Sequence, residues 1–262
     1  MRTKQLRSKW WVVVALLHCA GCSSGSAQVT VLLRQGIPSN AVAKIQVTVN
    51  APGEEAVTKD LTRSSSQWTG TLTGLTEGTD RTFDAVALDA GGARLYTGQA
   101  AGVVLTDGED TLVFITLDEL TASTATQPEA PILTSLTAHP AEVRAGSTVT
   151  LRATARDRNP GDTIRLEWTA PGGAFSSPAD GVITWTAPSS GATLLLGCTA
   201  SDTQGLGSSL SIPIEVRAVS STGSSGGGRV CCKHCGGSSK PCGDSCISSS
   251  YKCTKPAGCA CY

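Results

Sequence analysis

The chain has 262 residues, with 21 Lys plus Arg against 21 Asp plus Glu, 40% hydrophobic residues and only 4% aromatic ones. That length admits more than one domain, and so even a charge balance argues against a nucleic-acid partner. Cysteine is the compositional anomaly: there are 11, and eight of them fall after residue 230.

At the N-terminus Arg2, Lys4, Arg7 and Lys9 precede an apolar run from Trp10 to Leu17, which closes on Ala20, Gly21 and Cys22. The run is too short to cross a bilayer, since a spanning helix needs about 20 apolar residues. The order of basic, apolar and small residues ending on a cysteine resembles a bacterial lipoprotein signal peptide over residues 1–21, with Cys19 where such signals carry Leu. The resemblance implies a mature chain that begins at Cys22 and is anchored to the membrane through acyl chains on its thiol. A buried methylene contributes about 0.8 kcal/mol, so several chains hold a protein firmly where one does not. Ser23, rather than Asp, follows the cysteine, which by resemblance to enterobacterial lipoproteins implies release to the outer membrane. An ordinary secretory signal with an incidental cysteine is the rival reading. Either one exports the chain. Loss of the four basic residues leaves 17 basic against 21 acidic ones, a mildly acidic mature protein.

After a short tether, residues 22–28, apolar and polar residues alternate with period two. Ile45, Val47 and Val49 share one face with Gln46 and Thr48 on the other, and Trp68 and Leu72 stand opposite Thr69, Thr71 and Thr73. Turn signals at Ala51-Pro52-Gly53, Glu77-Gly78, Asp89-Ala90-Gly91-Gly92 and Asp107-Gly108 separate the runs. About seven short strands predict an antiparallel β-sandwich over residues 29–118. Phe83 to Asp89 followed by Leu95, Tyr96 and Gly98 looks like the small sandwich repeats of bacterial surface lipoproteins.

Residues 119–131, rich in Thr, Ala and Pro, read as a linker. A second sandwich is expected over residues 132–218. Its alternating runs carry Val149, Leu151, Ala153 and Ala155, then Ile164, Leu166 and Trp168, then Ile183 and Trp185, then Leu194, Leu196, Cys198 and Ala200, and finally Leu210, Ile212, Ile214 and Val216. Pro213 cannot donate to a ladder, which puts the last strand at a sheet edge. A Trp-bearing strand followed by one ending Gly197-Cys198-Thr199-Ala200-Ser201-Asp202 resembles bacterial immunoglobulin-like and PKD-type modules, which serve as spacers, adhesive units and ligand binders alike. The oxygen-rich residues Asp157, Asn159, Asp162 and Asp202 have two readings. Asp and Asn are ordinary turn residues, and that is the preferred one. Calcium ligation is the alternative, because related sandwiches hold that ion in such loops. Cys198 lies among apolar neighbours with no basic cluster to lower its pKa, so it is expected to be an inert buried thiol.

Residues 219–228, Ser- and Gly-rich, read as a second flexible linker, reaching about 18 Å. The module that follows, residues 229–262, contains Cys231, Cys232, Cys235, Cys242, Cys246, Cys253, Cys259 and Cys261, with almost nothing else apolar. A segment that cannot bury enough surface to offset chain entropy needs covalent staples, and export favours four disulfides. Adjacent Cys231 and Cys232 should pair apart, while the connectivity stays open among many possibilities. Zinc is the rival, on the spacings Cys232-x-x-Cys235 and Cys242-x-x-x-Cys246 with His234 nearby. The run Pro241 to Ile247 with the ending Pro256 to Cys261 resembles a small Cys-rich module at the ends of exported proteobacterial proteins. The module is basic, with Arg229, Lys233, Lys240, Lys252 and Lys255 against Asp244.

No catalytic signature stands out. His139 and His234 lack a nucleophile context, and no phosphate loop, dinucleotide fingerprint or H-E-x-x-H run occurs. Trp68, Trp168 and Trp185 fall on expected core faces, which weakens a carbohydrate platform. The sequence therefore predicts an all-β chain of two immunoglobulin-like sandwiches and a disulfide-rich tail, a noncatalytic lipoprotein of the bacterial envelope. It expects no cofactor, a membrane contact through lipid, and an unidentified protein or surface ligand on the tail. The alternative is a thiol-based metal-binding or redox protein acting through that tail, and an accessory subunit of a secreted enzyme is a third.

Overall fold

In the computed structural model of the chain, residues 24–120, 124–178, 181–218, 233–255 and 260–261 are described. The signal segment, Cys22, the 219–228 linker, Cys231, Cys232 and Cys259 lie outside them, as does the side chain of Cys261. The chain divides into two compact units, one within residues 1–218 and one within 219–262. Among the described residues no helix is long and apolar enough to cross a membrane.

The first unit opens with β1 (Gly25–Leu33), β2 (Lys44–Asn50), β3 (Val57–Asp60), β4 (Thr62–Ser64), β5 (Gln67–Leu75), β6 (Gly78–Leu88), β7 (Arg94–Leu105) and β8 (Asp110–Glu119). β1 starts four residues inside the segment read as a tether, because Ala27 is fully buried and pairs with both Leu72 and Thr111. One sheet runs β4-β5-β1-β8 and the facing one β3-β2-β6-β7. Between them Val29, Val31, Ile45, Val47, Phe83, Val103, Ile115 and Leu117 form the core, each an every-other-residue position of its strand. The two sheets meet where Tyr96 and Thr97 of β7 pair with Glu119 and Asp118 of β8. Gly98 permits the approach: a Cβ there would lie 2.6 Å from the Thr116 carbonyl oxygen.

The second sandwich comprises β9 (Ile132–His139), β10 (Glu142–Arg144), β11 (Thr148–Arg156), β12 (Arg165–Thr169), β13 (Ala174–Phe175), β14 (Val182–Thr186), β15 (Ala192–Ser201) and β16 (Gly207–Arg217). Its sheets read β13-β14-β11-β9 and β10-β16-β15-β12. In chain order these are the A-B-E-D and C-F-G strands of an immunoglobulin sandwich, with β10 as an extra strand beside the last. Leu136, Val149, Leu151, Trp185, Leu196, Cys198, Ile212 and Ile214 fill its core. The last strand is an edge only in part. β10 pairs with Glu215 to Arg217, and Pro213, whose missing N–H would have broken a ladder, lies just short of that pairing.

The two sandwiches share a sheet. β8 pairs in parallel with β1 along Asp110 to Leu117, and its other edge pairs antiparallel with β9 through Leu112 to Ile115. Its sequence explains this, since Leu112 to Ile115 is a continuous apolar run and Thr111 to Leu117 is buried at nearly every position, the signature of a strand covered on both faces. Val113, Ile115 and Leu117 enter the first core, while Leu112 enters the second and Phe114 packs against it. The segment read as a linker therefore connects neighbouring strands of one sheet. Glu119 belongs to β8, and the described part of the segment is held down: the Ala125 and Glu129 N–H groups donate to the Arg158 carbonyl and the Asn159 side-chain oxygen.

In the second unit, β17 (Lys233–His234) pairs in parallel with β20 (Ala260–Cys261), and β18 (Ser239–Cys242) forms a hairpin with β19 (Ser245–Ser248). Gly243, at φ +66°, opens the two-residue turn and Asp244 does not take positive φ, which is the pattern of a type II′ turn. Among its described residues only Cys235, Cys242 and Ala260 are buried.

Candidate functional site

Three acidic residues predicted for the loops come together at one end of the second sandwich. Asp157 follows β11, Asp162 precedes β12, and Asp202 follows β15. One carboxylate oxygen from each lies within 4.8 Å of the other two. Both sequence readings find their atoms here. One oxygen of Asp157 accepts the Asn159 N–H at 2.8 Å, and one oxygen of Asp202 accepts the N–H groups of Gln204 and Leu206 at 2.8 and 2.9 Å, the local bonding expected of Asx turns. The second oxygens, Oδ2 of Asp157 and Oδ2 of Asp202, are buried with no hydrogen-bond partner. Asp162 accepts from Thr203 Oγ1 at 2.9 Å and from Gln204 Nε2 at 3.2 Å. Asn159 does not join the cluster as a ligand. Both of its amide atoms are committed to the segment before β9, Oδ1 to the Glu129 N–H and Nδ2 to the Gln127 carbonyl, each at 2.8 Å.

A second polar cluster lies where the sandwiches meet. Asp118, at the end of β8 with its side chain only 5% exposed, receives Arg34 from beyond β1 at 2.9 Å, Arg158 at 2.7 Å, and Arg156 of β11. Glu119 and Glu129 add charge to Arg158 at 3.3 and 3.8 Å. Burial pushes the Asp118 carboxyl up, but the Glu119 N–H and the three guanidinium groups outweigh it and hold the pKa below the usual value. Desolvation works against the charge of Arg158, and its pairing with Asp118 prevails, raising its pKa. At the other end of the junction His139 bridges the two sandwiches through Thr106 Oγ1 on Nε2 at 2.9 Å and Thr111 Oγ1 on Nδ1 at 2.8 Å. Thr111 gives its hydroxyl proton to the Val104 carbonyl, so it accepts from Nδ1–H and leaves Nε2 to accept from Thr106. Burial lowers the His139 pKa, opposed by Glu109 at 3.3 Å. Its two ring nitrogens are thus spent on structure.

Cys198 is fully buried, and burial pushes its thiol pKa up to about 12, so it is a packing residue with negligible thiolate. It faces Trp168 across the β12–β15 ladder. Trp68 and Trp185 are buried in the two cores, and the Trp185 N–H donates to the Gly172 carbonyl at 3.0 Å.

In the tail Cys235 pairs with Cys246 and Cys242 with Cys253, each across 11 residues. These bridges occupy three of the four thiols whose spacing matched a zinc site, which removes the physical basis of that alternative. The remaining four cysteines of the expected framework fall outside the described residues or side chains. Neither the Asp118 cluster nor the Asn159 clasp was foreseen from sequence. Arg156 and Arg158 flank Asp157 as an unremarkable charged run, and only the pairing of β8 with β9 brings them to Asp118.

No family model and no curated protein matches the sequence. Among solved structures, the chain is similar to the tandem Ig repeats of Dlar, at 14% identity over 74% of this chain and 98% of that one with a TM-score of 0.26. It is also similar to fibronectin(III)-like modules of CbhA from Clostridium thermocellum, at 16% identity over 70% and 81% with a TM-score of 0.22. A DUF3823 family protein from Bacteroides ovatus matches at 11% identity over 73% and 98%, with a TM-score of 0.25.

Proposed function

We propose that the chain is a noncatalytic, lipid-anchored protein of the bacterial cell envelope, sorted to the outer membrane. Acyl chains on Cys22 hold it, the fused sandwiches act as a stiff spacer, and the cross-linked tail binds a protein or surface ligand. The observation that carries this reading is the tail's mode of order. Its described residues bury only two cysteines and one alanine, and the chain is closed by bridges between distant cysteines. Such a module keeps its shape only in an oxidising compartment, which agrees with the export signal at the other end of the sequence. The shared strand β8 supports the spacer role, because two sandwiches that share one sheet cannot bend freely about a linker.

Fractionation of a bacterial host making the full chain, beside its Cys22→Ser variant, tests the proposal. The wild-type chain is expected in the membrane fraction with an acylated N-terminal peptide starting at Cys22, and the variant is expected to lose the acyl groups and the membrane association. Recovery of the wild-type chain from the cytosol, unacylated and with free tail thiols, would contradict it.

A further inference from the structure

We propose that Asp157, Asp162 and Asp202 form a calcium site at the end of the second sandwich. Three observations carry it. The first is geometric: two oxygens on opposite sides of a calcium ion stand about 4.6–5.2 Å apart, twice the Ca–O distance, and the three carboxylates offer oxygens within 4.8 Å of one another.

The second is the state of the oxygens. Asp202 is only 8% exposed, and its Oδ2 and that of Asp157 are buried without a donor, although their partner oxygens are well satisfied by backbone N–H groups. Turn chemistry accounts for one oxygen of each and leaves the other unexplained. A buried carboxylate oxygen with no donor is costly, and a cation bound between the three removes that cost.

The third is charge. Among the described residues no Lys or Arg forms an ion pair with any of the three, and Arg158, the nearest basic residue in the loop, is committed to Asp118. The local charge of three carboxylates is therefore left for an external cation. Three carboxylates from loops leave several coordination positions to water, so the affinity expected is that of an extracellular site, about 0.1–1 mM. Occupancy would fix the loop from Asp157 to Asp162, and with it Asn159, whose amide clasps the segment leading into β9.

The test is calorimetric titration of the full chain in detergent, stripped with EDTA, together with melting temperatures with and without calcium. One calcium per chain is expected, with the melting temperature rising by about 5 °C at saturation. Asp202→Asn keeps the single oxygen that accepts both turn N–H groups, Asp162→Asn keeps one of the two oxygens that accept from Thr203 and Gln204, and each should weaken binding at least about tenfold. In EDTA the Asp162→Asn chain should melt no lower than wild type, because removal of a like charge offsets the one exposed hydrogen bond that is lost, whereas in calcium it should melt lower. That reversal separates a lost ion from a damaged fold. A folded wild-type chain that shows neither binding heat nor stabilisation up to about 10 mM calcium overturns the site. Retention of full calcium stabilisation in both variants, or tighter binding of magnesium than of calcium, overturns it as well.

Discussion

The sandwich unit and the tail meet the same entropic cost by opposite means. The first holds its strands with two apolar cores that share β8, so that Trp185, Ile115 and Leu136 are fully buried. Among the described residues of the second only Cys235, Cys242 and Ala260 are buried, and the Cys235–Cys246 and Cys242–Cys253 bridges close it. Stability in the sandwiches should thus respond to side-chain volume and be indifferent to reductant, while stability in the tail should do the reverse.

The largest effect should come from the shared sheet. Trp185→Ala removes the biggest fully buried side chain of the second core and should cost about 3–5 kcal/mol in denaturant melts. Because β8 serves both cores, the first sandwich should lose stability in the same transition, and two separated transitions would show that the sheet does not couple them. Replacing Cys242 and Cys253 by Ser should cost the tail about 2–4 kcal/mol and leave the sandwich melt unchanged. Next comes Asp118→Asn, which leaves Arg34, Arg156 and Arg158 without their common anion. We expect a loss of about 2 kcal/mol, below the full cost of breaking a buried pair because Arg34 and Arg156 are 25% and 40% exposed.

The smallest effect is a pH dependence with a definite sign. His139 has a lowered pKa in the folded chain, so above its ordinary value of 6.5 both folded and unfolded forms are neutral and nothing is lost. As the pH falls below that value the unfolded chain takes a proton that the folded one resists, and stability declines. His139→Gln should flatten the decline between about pH 7 and pH 5 in denaturation midpoints. The Asp118 contribution has a separate window. It is present above the ordinary Asp value of 3.8 and is lost as the pH falls through the lowered value of the folded state.

Much of the fold is legible in the sequence because alternation is a local signal. Ile45, Val47 and Val49, or Leu196, Cys198 and Ala200, declare a strand and its buried face within a few residues, and cysteine density declares the tail. What escaped is long-range. The apolar run from Leu112 to Ile115 suggests that both faces are covered but does not say by what, and the partners of β8 lie at Ala27 to Leu33 and at Ser135 to Ala138. The segment after it, polar and proline-bearing, looks like a spacer whether or not it is clamped, because its anchors are backbone groups received by Arg158 and Asn159. The acidic loops were legible as a set. Their composition could not show that Asn159 leaves the set to hold the connecting segment, or that two oxygens remain buried without a donor.

Amide hydrogen exchange read by mass spectrometry, with and without reductant under native conditions, tests the contrast between the two regions most directly. Strong and equal protection of β8, β9 and both cores in either condition, with tail protection lost only on reduction, is the result expected. Protection in the tail that survives full reduction, or exchange of β9 and the second core while β8 and the first core stay protected, would contradict it.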